Sequence, residues 1–358
     1  MDSVTNIRKK YILNIDVLKV GDIILEHGYK PHSLVIMKVT NSHYSHAMLY
    51  EGATIIEATS SGGVFSRVPN RFAVVNKNDL KVLRLRNEIA QSEMEKITTI
   101  SRTLVGSSYS KLEAIKAGRN KKPKTEVVTG QFCSRLVAQC FDQGGIKLVD
   151  SINYCSPADF ENSPHLVEVD GAVKEASEKE LAHALAPTIH RKHQESTVQW
   201  VKAAKKILKK SDIKAETIND IYSATLRLKN PKVDKLILKV IENSGHYTFY
   251  LEDKNENPFR YDEEAFAVKV GDNLDIIDSE IYKEISIVKV QSTNLKNSRE
   301  NYKIYPSCLM EAEINLFLNI LEITKERLEV IVSHCESRGL TPELLDKAQN
   351  MINYIDKV

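Results

Sequence analysis

The stretch Gly130-Gln131-Phe132-Cys133-Ser134-Arg135-Leu136-Val137-Ala138 runs a short polar turn straight into an apolar helical pattern. It predicts a helix that carries a thiol in its first turn and ends near Gly144-Gly145. Upstream, Tyr44-Ser45-His46-Ala47-Met48-Leu49-Tyr50 reads as a strand that begins near a histidine, and Ile55-Ile56-Glu57-Ala58 as the next strand. Glu51-Gly52-Ala53 between them would make the two strands hairpin neighbours. A helix N-terminus lowers a thiol's pKa through its unpaired N–H groups. A histidine in reach lowers it further and can move a proton, and a carboxylate on the far ring nitrogen fixes the tautomer. His46 suits the base and Glu57 the third group, with the helix-start N–H groups placed to hold an oxyanion.

Each residue also has a plain structural reading. Cys133, Leu136, Val137, Cys140 and Phe141 share one helical stripe, which equally describes a buried apolar cysteine. A single strand-start histidine is commonly structural, and Glu57 alone carries almost no signal. Tyr44, two residues before His46, could contribute to the oxyanion site or pack at a cleft edge.

Outward from these segments the chain divides by pattern. Residues 18–169 are mixed α/β: a short buried strand at Val20-Gly21-Asp22-Ile23-Ile24-Leu25, a helix over 33–40, strands over 47–50, 54–58, 64–67 and 82–85, and helices over 93–104 and 110–117. Residues 170–195 are polar with few large apolar side chains and read as a linker or surface excursion. Beyond them the pattern is mainly helical, over 200–210, 215–228, 233–242 and 311–336, with a last helix starting at Thr341-Pro342. Residues 246–306 are ambiguous, with 247–251 and 285–290 as candidate strands. The expected division is a domain over 1–170, a polar linker or surface excursion over 171–195 and a mainly helical domain over 196–358.

Four ordered segments carry a resemblance to a known family: Lys19-Val20-Gly21-Asp22-Ile23-Ile24, Tyr44-Ser45-His46-Ala47, Ile55-Ile56-Glu57-Ala58 with Gly63-Val64, and Phe132-Cys133-Ser134-Arg135-Leu136-Val137. Gly106-Ser107-Ser108-Tyr109 and Ser156-Pro157-Ala158-Asp159-Phe160 extend it. Together they resemble the YiiX/YebB-like group of circularly permuted papain-fold enzymes in the NlpC superfamily, in which the histidine strand precedes the cysteine helix. The resemblance spans about residues 18–169. It implies an α+β, permuted papain-like domain with Cys133 as nucleophile, His46 as base and Glu57 as the third polar residue. It further implies a thiol hydrolase or acyltransferase acting on an amide, ester or thioester of a peptide, a modified protein or a lipid. The lipid branch typically shows Asn-Cys-Glu-His around its nucleophile, from which Phe132-Cys133-Ser134-Arg135 departs. The alternative is an inert papain-like scaffold with a helical partner-binding or membrane-binding module.

Bulk properties bound these readings. In 358 residues, 42% are hydrophobic and 27% charged, as in an ordinary globular chain. With 50 Lys+Arg against 48 Asp+Glu the formal charge is +2, which gives no nucleic-acid signal. Five cysteines at irregular spacing suggest neither a disulfide framework nor a zinc knuckle, and without a legible secretion signal a reducing cytoplasmic setting is expected, with delivery by a dedicated secretion system as the alternative. No signal peptide or membrane-spanning stretch is legible. Lys116, Arg119, Lys121, Lys122 and Lys124 form a basic loop just ahead of Cys133, in which Lys121 and Lys122 are candidates for binding an anionic substrate. Lys202, Lys205, Lys206, Lys209 and Lys210 face away from the apolar side of their helix and could meet an anionic membrane, or simply solvent. His183, His190 and His193 with Glu195 lack a ligand motif, so no metal or other cofactor is expected.

Overall fold

The computed structural model describes residues 10–52, 54–60, 62–107, 109, 131–186 and 188–358. The basic loop with Lys116, Arg119, Lys121, Lys122 and Lys124, and the helix expected over 110–117, lie outside the described residues. The chain forms two compact units. One contains the residues up to Lys205 together with Ile213–Tyr222; the other contains Lys206–Asp212 and Ser223–Val358.

The first unit opens with strands β1 (Tyr11–Leu13) and β2 (Ile23–Glu26) and helix α1 (Pro31–Thr40). Strands β3 (His46–Tyr50), β4 (Ile55–Thr59), β5 (Gly63–Arg67) and β6 (Leu80–Leu85) follow, then helices α2 (Gln91–Thr103), α3 (Cys133–Gln143) and α4 (Pro157–Glu161). Strands β7 (Leu166–Glu168) and β8 (Val173–Glu175) and helices α5 (Glu178–Leu185) and α6 (Ile189–Lys209) complete the mixed region. Six strands build one antiparallel sheet in the order β5-β4-β3-β2-β6-β7, while β1 and β8 pair separately.

Alternation along the central strands sends side chains to two cores. Ile23, Leu25, Ala47, Leu49, Ile56 and Ala58 bury one face with Leu136, Val137 and Phe141 of α3. Ile24, Met48, Tyr50, Ile55 and Val82 bury the other with Leu13, Phe72 and Val74. Burial on both sides explains why these strands read as near-continuous apolar runs.

Entry into β2 depends on Gly21, whose φ is +91° and whose would-be Cβ lies 2.3 Å from Met94 Cε. The next residue, Asp22, is fully buried and takes two 2.7 Å bonds from Arg84 on β6 and one of 2.8 Å from the Lys19 N–H. A buried carboxylate needs such partners. This bidentate pair ties the β2 turn to β6.

Two expectations are corrected. Residues 171–195, expected as a polar linker or surface excursion, carry regular structure: β8 pairs with β1, α5 starts from a Ser177–Glu180 capping box, and α6 begins at Ile189. Their polarity misled because a two-stranded ribbon and a helix that buries only Ala184 need little apolar surface. In the second unit neither 247–251 nor 285–290 is a strand. The former is a 3-10 helix, His246–Leu251, and the latter lies inside a 31-residue helix.

That second unit holds α7 (Ile218–Leu228, whose first turns belong to the first unit), α8 (Pro231–Asn243), α9 (Glu252–Glu256) and α10 (Glu263–Val270). The long helices α11 (Leu274–Ile304) and α12 (Cys308–Ser337) and the terminal α13 (Pro342–Ile355) follow. In α11, Ile277, Ile281, Val288 and Leu295 are buried at spacings of four, seven and seven, which is a helical stripe. Packing on that stripe outweighs the strand preference of the Ile and Val side chains. No described helix is long and apolar enough to cross a membrane.

Candidate active site

Helix α3 starts at Cys133, with Phe132 at its N-cap in extended conformation. No side chain caps this end and no acidic residue occupies the first turn, so its N–H dipoles are uncompensated there. Arg135, fully buried, locks the turn: its Nε and Nη2 donate to the Asn153 carbonyl at 2.9 and 2.8 Å, and its guanidinium stacks 4.4 Å from the Phe132 ring. Gln139 on the same helix joins the arrangement by accepting from Gln131 Nε2 and donating to Asn153 Oδ1, each at 2.8 Å.

His46 opens β3, and its Nε2 donates to Glu57 Oε2 on β4 at 2.8 Å. Both residues are on the same face of the pleat, in phase with Met48 and Ile55 respectively. With Nε2 committed to Glu57, Nδ1 is the ring atom left for the thiol, to which His46 is hydrogen-bonded. Cys133 Sγ also lies 3.9 Å from the Ser45 carbonyl and 3.9 Å from Ser134 Oγ. Arg67 on β5 stands 3.9 Å from the other Glu57 oxygen and 3.6 Å from Glu26.

The electrostatics of the three groups are mutually consistent. Burial pushes the Cys133 thiol up, yet the hydrogen bond and charge of His46, aided by the Ala47 N–H and Ser134, bring it below the ordinary thiol value. Burial lowers the His46 imidazole, but Cys133 and Glu57 outweigh it and hold the ring well above its usual range. Burial raises the Glu57 carboxyl, and the His46 bond and the charges of Arg67 and His46 reverse that. The three shifts run together, toward thiolate at Cys133, imidazolium at His46 and carboxylate at Glu57. The remaining cysteines, Cys140, Cys155, Cys308 and Cys335, behave oppositely: burial raises the thiol of each. Cys133 itself is only 5% exposed.

Tyr109 closes the Gly106-Ser107-Ser108-Tyr109 segment, and the sequence alone gives it no role. Burial and the nearby charge of Cys133 raise its hydroxyl pKa, so the phenol keeps its proton beside the sulfur. No spacing rule points to it, because residues 109 and 133 meet only in the fold. Tyr44 is buried in the sheet core, 3% exposed, with Lys81 Nζ 5.7 Å from its ring centroid. Lys121 and Lys122 lie outside the described residues.

A groove of about 720 Å³ borders the site, lined by Glu57, Arg67, Lys30, Arg71, Arg191 and Lys192 among others. Its cationic side chains come from the N-cap of α1, from β5, from the turn that follows β5 and from the start of α6. Of the lysine face on α6, Lys202, Lys206 and Lys209 are exposed, as is Lys210 just past its end. Lys205 is half-buried and donates to the carbonyls of Glu216 at 2.7 Å and Gly106 at 3.3 Å, so it holds the fold together. His193 is half-buried and burial depresses its imidazole to about 4, while Glu195 pairs with Arg191 at 3.2 Å.

No protein-family model matches the sequence, and no curated protein matches it. Among solved structures the chain is similar to the metalloprotein YiiX from Escherichia coli O157:H7, with 16% identity and a TM-score of 0.33. The match covers 43% of this chain and 97% of that one. It is a weak structural likeness to a YiiX protein, and it says nothing about activity.

Proposed function

We propose that the chain is a cysteine hydrolase or acyl-transfer enzyme of permuted papain-like, NlpC-superfamily type, with its catalytic residues in the first unit. The observation that carries this reading is the inversion at Cys133: among the five thiols it alone is driven toward the thiolate, by the hydrogen bond and charge of His46. In the proposed reaction the Cys133 thiolate attacks the carbonyl carbon of an amide, ester or thioester. Negative charge passes to the carbonyl oxygen, which the N–H groups at the start of α3 and the protonated Tyr109 hydroxyl can stabilise. His46, already protonated, gives its proton to the leaving nitrogen, oxygen or sulfur as the tetrahedral intermediate collapses to a thioester. The neutral imidazole then takes a proton from water or an amine acceptor, which attacks the thioester and returns the Cys133 thiolate. Glu57 keeps the ring oriented and supports its charge.

The basic groove beside Glu57 favours a substrate that carries an anionic group. Peptide, modified-protein and lipid acyl compounds all remain within that class. An electrophilic acyl probe should label the wild type and not Cys133→Ala; equal labelling of the two would sink the mechanism. Trapping the acyl-enzyme from a cell extract and weighing the adduct would then identify the donor.

One observation favours a second reading. Cys133 is 5% exposed, as an inert papain-like scaffold with a helical partner-binding module would have it. That reading predicts an unlabelled Cys133 in the wild type and unchanged biological activity in both Cys133→Ala and His46→Ala.

A further inference from the structure

A second cluster of chemistry-bearing side chains forms where three strands end. His27 follows β2, His43 lies three residues before β3, and Asp79 immediately precedes β6. One donor atom from each lies within 4.8 Å of the other two. We propose that His27, His43 and Asp79 form a binding site for a divalent transition-metal ion of the zinc class, separate from the Cys133 centre.

The geometry is that of ligands rather than of a hydrogen-bonded triad. His43 Nε2 and Asp79 Oδ1 are 3.6 Å apart, too far for a hydrogen bond. Two ligand atoms on a tetrahedral ion with bonds of about 2.0–2.1 Å are separated by about 3.3–3.5 Å. His27 Nδ1 sits 2.8 Å from the His43 carbonyl oxygen. Donation there keeps the ring proton on Nδ1 and leaves the lone pair on Nε2, the arrangement by which outer partners fix a metal-binding tautomer. The His27 ring is also packed between the rings of Tyr29 and His43, at 5.0 and 4.5 Å.

Asp79 is oriented in the same manner. It is 2% exposed, and its Oδ2 accepts from the Tyr29 hydroxyl, the Asn76 N–H at 2.7 Å and Asn76 Nδ2 at 3.1 Å. Three donors on one oxygen turn the other toward His43. The backbone reinforces the placement, since the His27 N–H donates to the Asp79 carbonyl at 2.8 Å. Gly28 N–H bonds Ser45 Oγ at 3.0 Å, and a Cβ at Gly28 would lie 2.4 Å from Ser33 Oγ. The chain therefore folds tightly beneath the cluster.

Two imidazoles and one carboxylate suit a borderline ion such as Zn²⁺ and do not suit Ca²⁺ or Mg²⁺, which take oxygen ligands. The His43 side chain is 49% exposed, so an ion can enter from solvent and keep water at its fourth position. Buried Asp79 supplies a negative charge to meet it.

Zinc could also bind the Cys133 thiolate, so the untagged full chain carrying Cys133→Ala is the protein to test. Equilibrium dialysis against Zn²⁺, with the retained metal determined by mass spectrometry, should give one ion per chain. Adding His43→Ala or Asp79→Asn should weaken binding at least about tenfold, the scale on which even outer-shell changes act. Zn²⁺ should raise the melting temperature of the Cys133→Ala chain and leave that of its His43→Ala derivative unchanged. His43 is half-exposed, so its replacement keeps the fold even where Asp79→Asn disturbs the Tyr29 and Asn76 bonds. Absence of zinc from Cys133→Ala, or equal binding by the His43→Ala derivative, would overturn the site.

Discussion

Both compact units bury a network of charges, and they do so to opposite ends. In the helical unit Arg327 on α12 is 6% exposed and gives Glu284 on α11 two bonds, at 2.9 and 2.7 Å. Its remaining donors reach the Tyr261 hydroxyl at 2.7 Å, Thr324 Oγ1 at 3.1 Å and Asp253 at 3.3 Å. The pairing holds the guanidinium pKa above its ordinary value against burial. Carboxylates balance the guanidinium, the hydroxyls of Tyr261 and Thr324 take its remaining donors, and no thiol or imidazole takes part. In the mixed unit the Asp22–Arg84 pair is likewise a structural joint, but a second buried pairing there joins a thiol whose pKa is lowered to an imidazole whose pKa is raised, and each of these can gain or lose a proton. Burial of charge alone therefore marks a structural joint as readily as a reactive centre. Chemistry requires that one member be able to change state.

That contrast can be broken by substitution. Cys133→Ala should abolish turnover and probe labelling, a loss of at least about a thousandfold given what nucleophile removal costs in such systems, with little effect on folding. Full activity after that change would place Cys133 on the same footing as Arg327. Conversely, Arg327→Met should lower unfolding free energy by about 3–5 kcal/mol, because it strands Glu284 without a counter-charge. Denaturant unfolding would measure the loss, and an unaltered midpoint would remove the network from the account of stability.

The pH dependence of Cys133 alkylation sharpens the comparison further. The rate should rise with pH through a thiol pKa below the ordinary value of 9.0 and then stay level until the raised His46 pKa is reached. His46→Ala removes the groups that oppose burial, so the thiol should titrate above 9.0 and react slowly at neutral pH. A profile identical to wild type would dissolve the proposed ion pair. Glu57→Gln should act more mildly, moving the alkaline limb to lower pH because the imidazolium loses its carboxylate.

The smallest effect is expected on α6. Charge reversal at exposed Lys202 and Lys206 should change stability by no more than about 0.5 kcal/mol. Binding to anionic vesicles, assayed against salt, tests whether these lysines meet a membrane: a salt-sensitive association lost on reversal would support it, and no association would leave them as solvated charges.

Much of the architecture was legible before any coordinates. The mixed α/β pattern from residue 18 to 169, the hairpin carrying His46 and Glu57, and the helix starting at Cys133 follow from apolar periodicity and turn residues, which are local signals. The helices at 33–40, 233–242 and 311–336 follow for the same reason, each within three residues of its observed ends. The states of residues 171–195 and 285–290 are not legible locally, because pairing to a distant strand and packing on other helices decide them. The cluster of His27, His43 and Asp79 had no signal at all, since its members come from three strand ends separated by up to 52 positions.

Cys133 and Cys140 state the division most sharply. They lie on one stripe of one helix, both buried, and by sequence pattern each is an apolar core cysteine. The order of residues determined that a thiol would stand at a helix start, after a histidine strand and a carboxylate strand. Only the tertiary fold decided that Cys133 would meet the His46 ring, while Cys140 would meet apolar side chains and have its thiol pushed up. The reason is physical: burial acts alike on both sulfurs, and what separates them is a counter-charge delivered from 87 residues away in the chain.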